Sequence, residues 1–144
     1  MPRLRPPFRV RRWGFSGITA SIVVRARDSK CKDRYDEIVD RVVNFAKNIK
    51  LGPSLCADTE IGLLIARSQQ KRVLGYINSG LEDGAKLLVG GHEVTRNGCY
   101  VEPTVLGNVR NNMKVVQEEI FGPVLVVTPF DDLDDAVTKA NMTK

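Results

Sequence analysis

The sequence predicts an α/β fold with a largely parallel sheet, and two observations support this. Short apolar runs rich in β-branched residues alternate along the chain with longer segments in which apolar residues recur at helical spacing. Helices placed between strands provide the crossover connections that parallel pairing needs. With 144 residues, 42% of them hydrophobic, the chain has the size of one globular domain or of a piece of one.

The predicted elements include both the strands and the helices that this fold requires. The helix at 33–50 has an apolar stripe made of Tyr35, Ile38, Val39, Val42, Val43, Ala46 and Ile49. The helix at 69–82 is capped by Ser68 and closed by Gly84. In chain order, the predicted elements are a strand at 18–24, a helix at 33–50, a helix at 69–82, a strand at 85–89, an extended segment at 100–105, a strand at 124–127 and a helix at 131–141.

Four aspartates open the last predicted helix: Asp131, Asp132, Asp134 and Asp135. Acidic side chains in a first turn favour the positive end of the helix dipole. Metal binding is the alternative, but these residues lack the Asp-x-Asp-x-Asp-Gly spacing of a calcium loop. His92 is the only histidine, so no metal site based on two histidines can be assembled. The sequence therefore predicts no metal site.

Charge separates the first residues from the rest. The first 27 residues hold seven arginines, no lysine and no acidic residue, whereas the other 117 carry 15 basic and 17 acidic side chains, a net of −2. Residues 1–16 are expected to be a basic, Pro/Arg-rich arm that is not part of the fold, and residues 17–144 the folded part. With Phe8 and Trp13 interleaved, such an arm is also suited to nucleic-acid backbones and bases. It lacks the amphipathic pattern of a targeting peptide.

The cysteines indicate a reducing environment. Cys31, Cys56 and Cys99 are odd in number and form no Cys-x-x-Cys pair, so neither a zinc site nor a disulfide framework is indicated. No stretch approaches 18 uninterrupted apolar residues. We therefore expect a cytoplasmic protein with no membrane partner.

A polar stretch directly before a buried strand is the candidate functional site. Residues 117–123 read Gln-Glu-Glu-Ile-Phe-Gly-Pro, and an apolar run at 124–127 follows at once. Gly122 allows close approach to the main chain, and Pro123 restricts the turn. A carboxylate held there is suited to accept hydrogen bonds from two neighbouring hydroxyls, such as those of a ribose. In the alternative interpretation, Glu118 and Glu119 are solvated loop acids and Phe121 is a core residue.

This stretch resembles the signature of the NAD(P)-dependent aldehyde dehydrogenase superfamily. Glu-Glu-Ile-Phe-Gly-Pro at 118–123 carries the likeness, and blocks at 35–41, 61–65, 72–77, 84–91 and 100–105 resemble that family in the same order. The resemblance covers about residues 20 to 144. It implies a three-layer α/β fold, part of the catalytic domain of that family. It also implies NAD or NADP as cofactor and a small-molecule aldehyde as substrate.

The resemblance assigns cofactor-binding roles to two residues. Glu119 matches the family residue that holds the nicotinamide-ribose hydroxyls, and Phe121 matches the aromatic residue that contacts the nicotinamide. Gln69 and Arg72 occupy positions that approach the cofactor in related enzymes, but a solvated helix face explains them equally well. They are therefore left out of the predicted site.

The catalytic residues of the family are not found. Its cysteine lies in a pattern like Gly-Gln-x-Cys-Thr-Ala-x-Ser-Arg, and here Thr19, Ala20 and Ser21 fit while Ile18 stands at the cysteine position. None of the three cysteines matches that position, and the family's general-base glutamate precedes the matching segment. Because loss of a nucleophile removes most of a covalent enzyme's rate acceleration, we expect this chain to be inactive alone.

Three functional hypotheses follow. The first is a segment of an aldehyde dehydrogenase, whose family reaction is NAD(P)-dependent oxidation of an aldehyde to a carboxylic acid through a cysteine thioester. The second is a non-catalytic assembly module that forms homo-oligomers or pairs with full-length family subunits. Nucleic-acid binding by the arm ranks last. The family likeness does not extend into residues 1–16, and this favours an altered start or reading frame as the origin of the arm.

Overall fold

Four strands and four helices make up the described part of the chain. The computed structural model describes residues 20–25, 29–95, 97–130 and 132–141. The predicted arm at 1–16 and position 18 lie outside these ranges. In order, the elements are β1 (Ala20–Arg25), α1 (Ser29–Lys47), α2 (Arg67–Glu82), β2 (Lys86–Val89), β3 (Thr104–Gly107), α3 (Lys114–Gln117), β4 (Val124–Phe130) and α4 (Leu133–Asn141).

The strands form a mixed but mainly parallel sheet. Its strand order is β1-β4-β3-β2, and β4 pairs in parallel with both β1 and β3. Only β2 is antiparallel to its neighbour, β3, within the described residues. Among those residues the β2–β3 connection contains no helix, whereas β3 and β4 are joined through α3. The predicted α/β class with a largely parallel sheet is confirmed.

Helices cover both faces of the sheet. Side chains of a strand alternate between faces, so successive residues of β4 enter different layers. Val124 and Val126 belong to a buried cluster with Val73 and Ile77 of α2. Leu125 and Val127 belong to a second cluster whose helical members are the α1 residues Val42 and Ala46. The three-layer arrangement that the resemblance implies is therefore confirmed.

The last helix begins at an aspartate cap. The backbone N–H of Asp135 donates to Oδ1 of Asp132 at 2.9 Å, which is the usual contact between an N-cap side chain and the third helical residue. Asp134 and Asp135 both lie in the first turn. Near the end of the helix, Lys139 Nζ contacts Asp135 at 2.7 Å and donates to the Pro129 carbonyl oxygen at 3.0 Å. These contacts agree with the predicted cap and first-turn positions of Asp132, Asp134 and Asp135, whereas Asp131 lies outside the described residues.

The predicted Ser68 cap of α2 is wrong. The helix begins at Arg67, and its N-cap residue, Ala66, makes no side-chain cap hydrogen bond. The helix predicted at 33–50 is α1 (Ser29–Lys47), and the strand predicted at 124–127 extends to Phe130.

Two further differences from the predictions involve proline or a short element. The extended segment predicted at 100–105 becomes a strand only from Thr104, because Pro103 has no N–H to donate to a ladder. Before that point Val101 forms only an isolated bridge with Glu93. The four-residue helix α3 was not predicted, since four residues show no helical periodicity.

One tyrosine of α1 has a perturbed ionisation. Burial raises the pKa of the Tyr35 phenol, and the negative charge of Asp36 beside it raises that pKa further. Tyr35 packs against the cluster between α1 and the sheet. Its phenol is therefore neutral at physiological pH and belongs to the packing of this layer.

Candidate functional site

The stretch at 118–123 forms the turn between α3 and β4, and its side chains divide between core and surface. Ile120 is fully buried and belongs to the cluster beneath α2. Its neighbours Glu119 and Phe121 are exposed, and Phe121 keeps 48% of its surface accessible. The alternative in which Phe121 is a core residue is therefore wrong. Ile120 fixes the turn to the core, and the residues on either side of it remain available.

Gln69 of α2 supports the backbone of this turn. Its side-chain amide nitrogen donates to the carbonyl oxygens of Ile120 and Phe121, each at 3.0 Å. Phe121 has a φ of +52°, which is the left-handed region that residues other than glycine rarely adopt. Such a conformation costs about 1–2 kcal/mol and persists where the surroundings determine it. The two hydrogen bonds from Gln69 provide that support.

The side chain of Glu118 is hydrogen-bonded to α2, whereas that of Glu119 is not. The hydroxyl of Tyr76 donates to Oε2 of Glu118 at 2.5 Å. Glu119 makes no hydrogen bond or ion pair with any residue that the structure describes. Two adjacent carboxylates therefore have different surroundings: one is used to hold the turn, and the other is free to accept hydrogen bonds from a ligand.

The free carboxylate and the exposed ring border the same depression. It is open and has a volume of about 450 Å³. Its lining residues are Arg72, Gln117, Glu118, Glu119 and Phe121. The structure thus brings together both residues that were predicted to bind cofactor and adds Arg72. The signal that could have found the supporting residues is their spacing, because Gln69, Arg72 and Tyr76 lie at i, i+3 and i+7 of α2.

A second depression of about 460 Å³ lies elsewhere, between the start of α2 and the loop before β3. It is lined by Arg67, Gln70, Glu93, Val94, Thr95, Asn97 and Gly98. The buried amide of Gln70 donates to the Tyr100 carbonyl oxygen at 2.8 Å, so this side chain already serves the fold. No aromatic ring lines this depression among the described residues, and the first depression is therefore the better candidate site.

The remaining candidates for chemistry are scattered. Cys56 is exposed in the loop after α1, Cys99 is half-buried before β3, and Cys31 lies within α1. His92 is exposed in the turn after β2. Across the described ranges, no three His, Cys, Asp or Glu side chains come close enough to hold a metal ion. No helix in this part of the chain is long and apolar enough to cross a membrane.

Gly122 is expected to be required for close packing of the turn on α2. A Cβ atom at this position would lie 2.6 Å from Cγ2 of Val73, a side chain that is itself fully buried. Gly122→Ala should therefore lower the free energy of unfolding by about 1–3 kcal/mol, measured by urea denaturation. Gly75→Ala is the matched control, since a Cβ there meets nothing within 4 Å. Because alanine favours the helix, the control should stabilise by up to about 1 kcal/mol; equal losses in both variants would contradict the packing argument.

Comparison with known families identifies the chain. The family model described as "Aldehyde dehydrogenase family" matches residues 30–144. The chain belongs to this family. It is 43% identical over 110 residues to a putative aldehyde dehydrogenase, DhaS, of Bacillus subtilis (strain 168), covering 76% of this chain and 22% of the relative. It is 42% identical over 113 residues to the mitochondrial aldehyde dehydrogenase of Rattus norvegicus, covering 78% of this chain and 22% of that protein.

Solved structures of the family share the fold. An aldehyde dehydrogenase of Mycobacterium tuberculosis complexed with NAD⁺ matches 88% of this chain and 27% of its own chain, with a TM-score of 0.79 and 40% identity. An NAD⁺ complex of an aldehyde dehydrogenase from Bacillus cereus matches 86% of this chain and 24% of its own, with a TM-score of 0.78 and 39% identity. The chain thus spans about a quarter of the length of these relatives.

Proposed function

We propose that this chain is a segment of an aldehyde dehydrogenase catalytic domain and that it provides the nicotinamide-ribose side of an NAD(P) site. The reaction of the complete enzyme would be NAD(P)-dependent oxidation of an aldehyde to a carboxylic acid. One observation carries the proposal: the unpartnered carboxylate of Glu119 and the half-exposed ring of Phe121 border one depression. The NAD⁺ bound in two of the structural neighbours supports it.

The residues present fit such a cofactor. A carboxylate has two oxygens and can accept hydrogen bonds from the adjacent hydroxyls of a ribose. Glu119 is suited to this role because Glu118, not Glu119, satisfies the Tyr76 hydroxyl. The ring of Phe121 offers an apolar face for the nicotinamide, and Arg72 adds a positive charge to the same depression. When bound, the cofactor accepts the hydride; the chain's own residues hold and orient it.

We also propose that the polypeptide of these 144 residues is inactive alone. The thioester step needs a thiolate near the aldehyde carbon, and isoleucine at position 18 cannot supply one. Neither Cys56 nor Cys99 lines the depression that holds Glu119. Assays of NADH and NADPH production with several aldehydes should therefore give no turnover, and a rate above the buffer background would contradict this part of the proposal.

Cofactor titration tests the site itself. Calorimetric titration of the purified chain with NAD⁺ and NADP⁺ should give saturable binding to at least one of them. Glu119→Gln should weaken that binding roughly ten- to a hundredfold, because the charge-assisted hydrogen bonds to the ribose are lost. Glu82→Gln removes a carboxylate of the same kind from the exposed end of α2 and should leave the affinity unchanged. An equal effect of both variants, or no binding by the folded chain, would contradict the proposal.

An assembly role is the second candidate. The end strands β1 and β2 each have one side without a strand partner among the described residues, and such edges can pair with another chain. Homo-oligomers, or complexes with full-length family subunits, are the forms expected. Co-purification with a full-length aldehyde dehydrogenase, together with light scattering, tests this role. A strictly monomeric chain that co-purifies with no family subunit would exclude it.

Two further parts of the proposal concern location and the arm. We propose a cytoplasmic location on the basis of the cysteine usage, and cell fractionation tests it. Nucleic-acid binding by residues 1–16 remains the third hypothesis. It requires steeply salt-dependent binding that is lost when those residues are deleted.

A further inference from the structure

Tyr76 occupies an unusual position behind the candidate site. It is buried, with 7% of its surface exposed, yet its hydroxyl reaches Glu118 of the turn at 2.5 Å. Two cations lie over its ring, the Arg72 guanidinium carbon at 5.6 Å and Lys114 Nζ at 5.1 Å from the ring centroid. The ring is thus held from α2 and from α3 at once.

The hydrogen bonds of the Tyr76 hydroxyl determine where its hydrogen points. Nη2 of Arg72 donates to the Tyr76 oxygen at 3.5 Å, so the oxygen acts as acceptor there and its own hydrogen is left for Glu118. Glu118 has extended backbone angles, with φ −117° and ψ 147°. Because successive side chains of extended backbone point in different directions, fixing Glu118 toward Tyr76 also fixes the direction of Glu119.

We propose that Tyr76 is a positioning residue for cofactor binding, acting through Glu118 on the orientation of Glu119 and Phe121. This inference rests on the proposed function, since it concerns the same depression. Gln69 holds the turn at Ile120 and Phe121, and Tyr76 holds it at Glu118. The turn is therefore attached to α2 on both sides of Glu119. A site whose ligand groups are held in place before binding loses less entropy when the ligand arrives.

The first test removes the hydroxyl and keeps the ring. Tyr76→Phe should weaken NAD⁺ binding about tenfold in calorimetric titrations, and Glu118→Gln should weaken it by a similar factor. If the two side chains act through their mutual hydrogen bond, the double variant should bind NAD⁺ no more weakly than either single variant. Tyr35→Phe is the control, because Tyr35 packs on the opposite side of the sheet. Its affinity for NAD⁺ should equal that of the wild type.

The second test does not depend on the cofactor. In a chain labelled with ¹⁵N-phenylalanine, the amide resonance of Phe121 can be assigned by its absence in Phe121→Leu. Tyr76→Phe and Glu118→Gln should each shift or split this resonance in the absence of NAD⁺, whereas Tyr35→Phe should leave it unchanged. Glu118 is exposed, so Glu118→Gln is expected to fold even if Tyr76→Phe does not.

The two tests separate failure of this inference from failure of the proposed function. If the wild type binds no NAD⁺ but the Phe121 resonance moves in both variants, the positioning of the turn is supported and the cofactor site is wrong. If the wild type binds NAD⁺ and neither variant changes the affinity or the resonance, the positioning role is overturned and the cofactor site stands. Additive losses of affinity in the double variant would also overturn it.

Discussion

Ile120→Ala is expected to lower the free energy of unfolding by about 2–5 kcal/mol. Ile120 is fully buried and belongs to the same cluster as Val73 and Ile77 of α2 and Val124 of β4. Its truncation leaves a cavity where the turn meets the core, and the surrounding helix and strand cannot close over it completely. Urea denaturation followed by circular dichroism measures the change.

The control for this prediction is another isoleucine. Ile65 lies in the loop before α2 and is 93% exposed. Ile65→Ala should change the free energy of unfolding by no more than about 0.5 kcal/mol. A loss of similar size in the two variants would contradict the assignment of Ile120 as the anchor of the turn.

Gly90→Ala should be destabilising by about 3 kcal/mol or more, for two reasons that add. Gly90 has a φ of +75°, a left-handed conformation that disfavours any side chain. A Cβ atom there would also meet the backbone of Pro103, whose carbonyl carbon lies 2.9 Å from the ideal Cβ position. A backbone carbonyl cannot move aside by changing a rotamer, so the connection between β2 and β3 must shift. Thermal and urea denaturation of the purified variant measure the loss.

Gly84→Ala separates the two contributions to the Gly90 effect. Gly84 has a φ of +98°, but a new Cβ atom there would meet only the flexible end of the Arg110 side chain, at 3.9 Å. This variant should therefore lose only the conformational part, about 1–2 kcal/mol. If Gly84→Ala cost as much as Gly90→Ala, close approach to Pro103 would not be the reason for glycine at position 90.

Most of the helices and strands could be predicted from sequence patterns within single elements. The β-branched run after Pro123 predicts β4, and the apolar stripes predict α1 and α2, because periodicity reports which face of an element is buried. The antiparallel pairing of β2 with β3 and the short helix α3 were not predicted. Both depend on how the chain turns in three dimensions rather than on a repeating pattern.

The candidate site also contains residues that could be predicted from the sequence and residues that could not. The resemblance led to Glu119 and Phe121, whose cofactor roles remain a prediction, and the structure places both at one depression. The residues that support the turn could not be predicted from the sequence. Gln69 bonds to residues 51 and 52 positions away, and Tyr76 bonds to a residue 42 positions away. Single-sequence patterns report local spacing, whereas these contacts form only when α2 packs beside the turn.

We expect a nicotinamide cofactor to bind at the turn held by α2. The most direct test is a titration of the ¹⁵N-labelled chain with NAD⁺, followed residue by residue in amide spectra. The largest shifts should occur at the amides of Glu119, Phe121 and Gly122 and at the side-chain amide of Gln69. Shifts centred instead on the second depression, around Arg67 and Glu93, or no shifts at saturating NAD⁺, would contradict it.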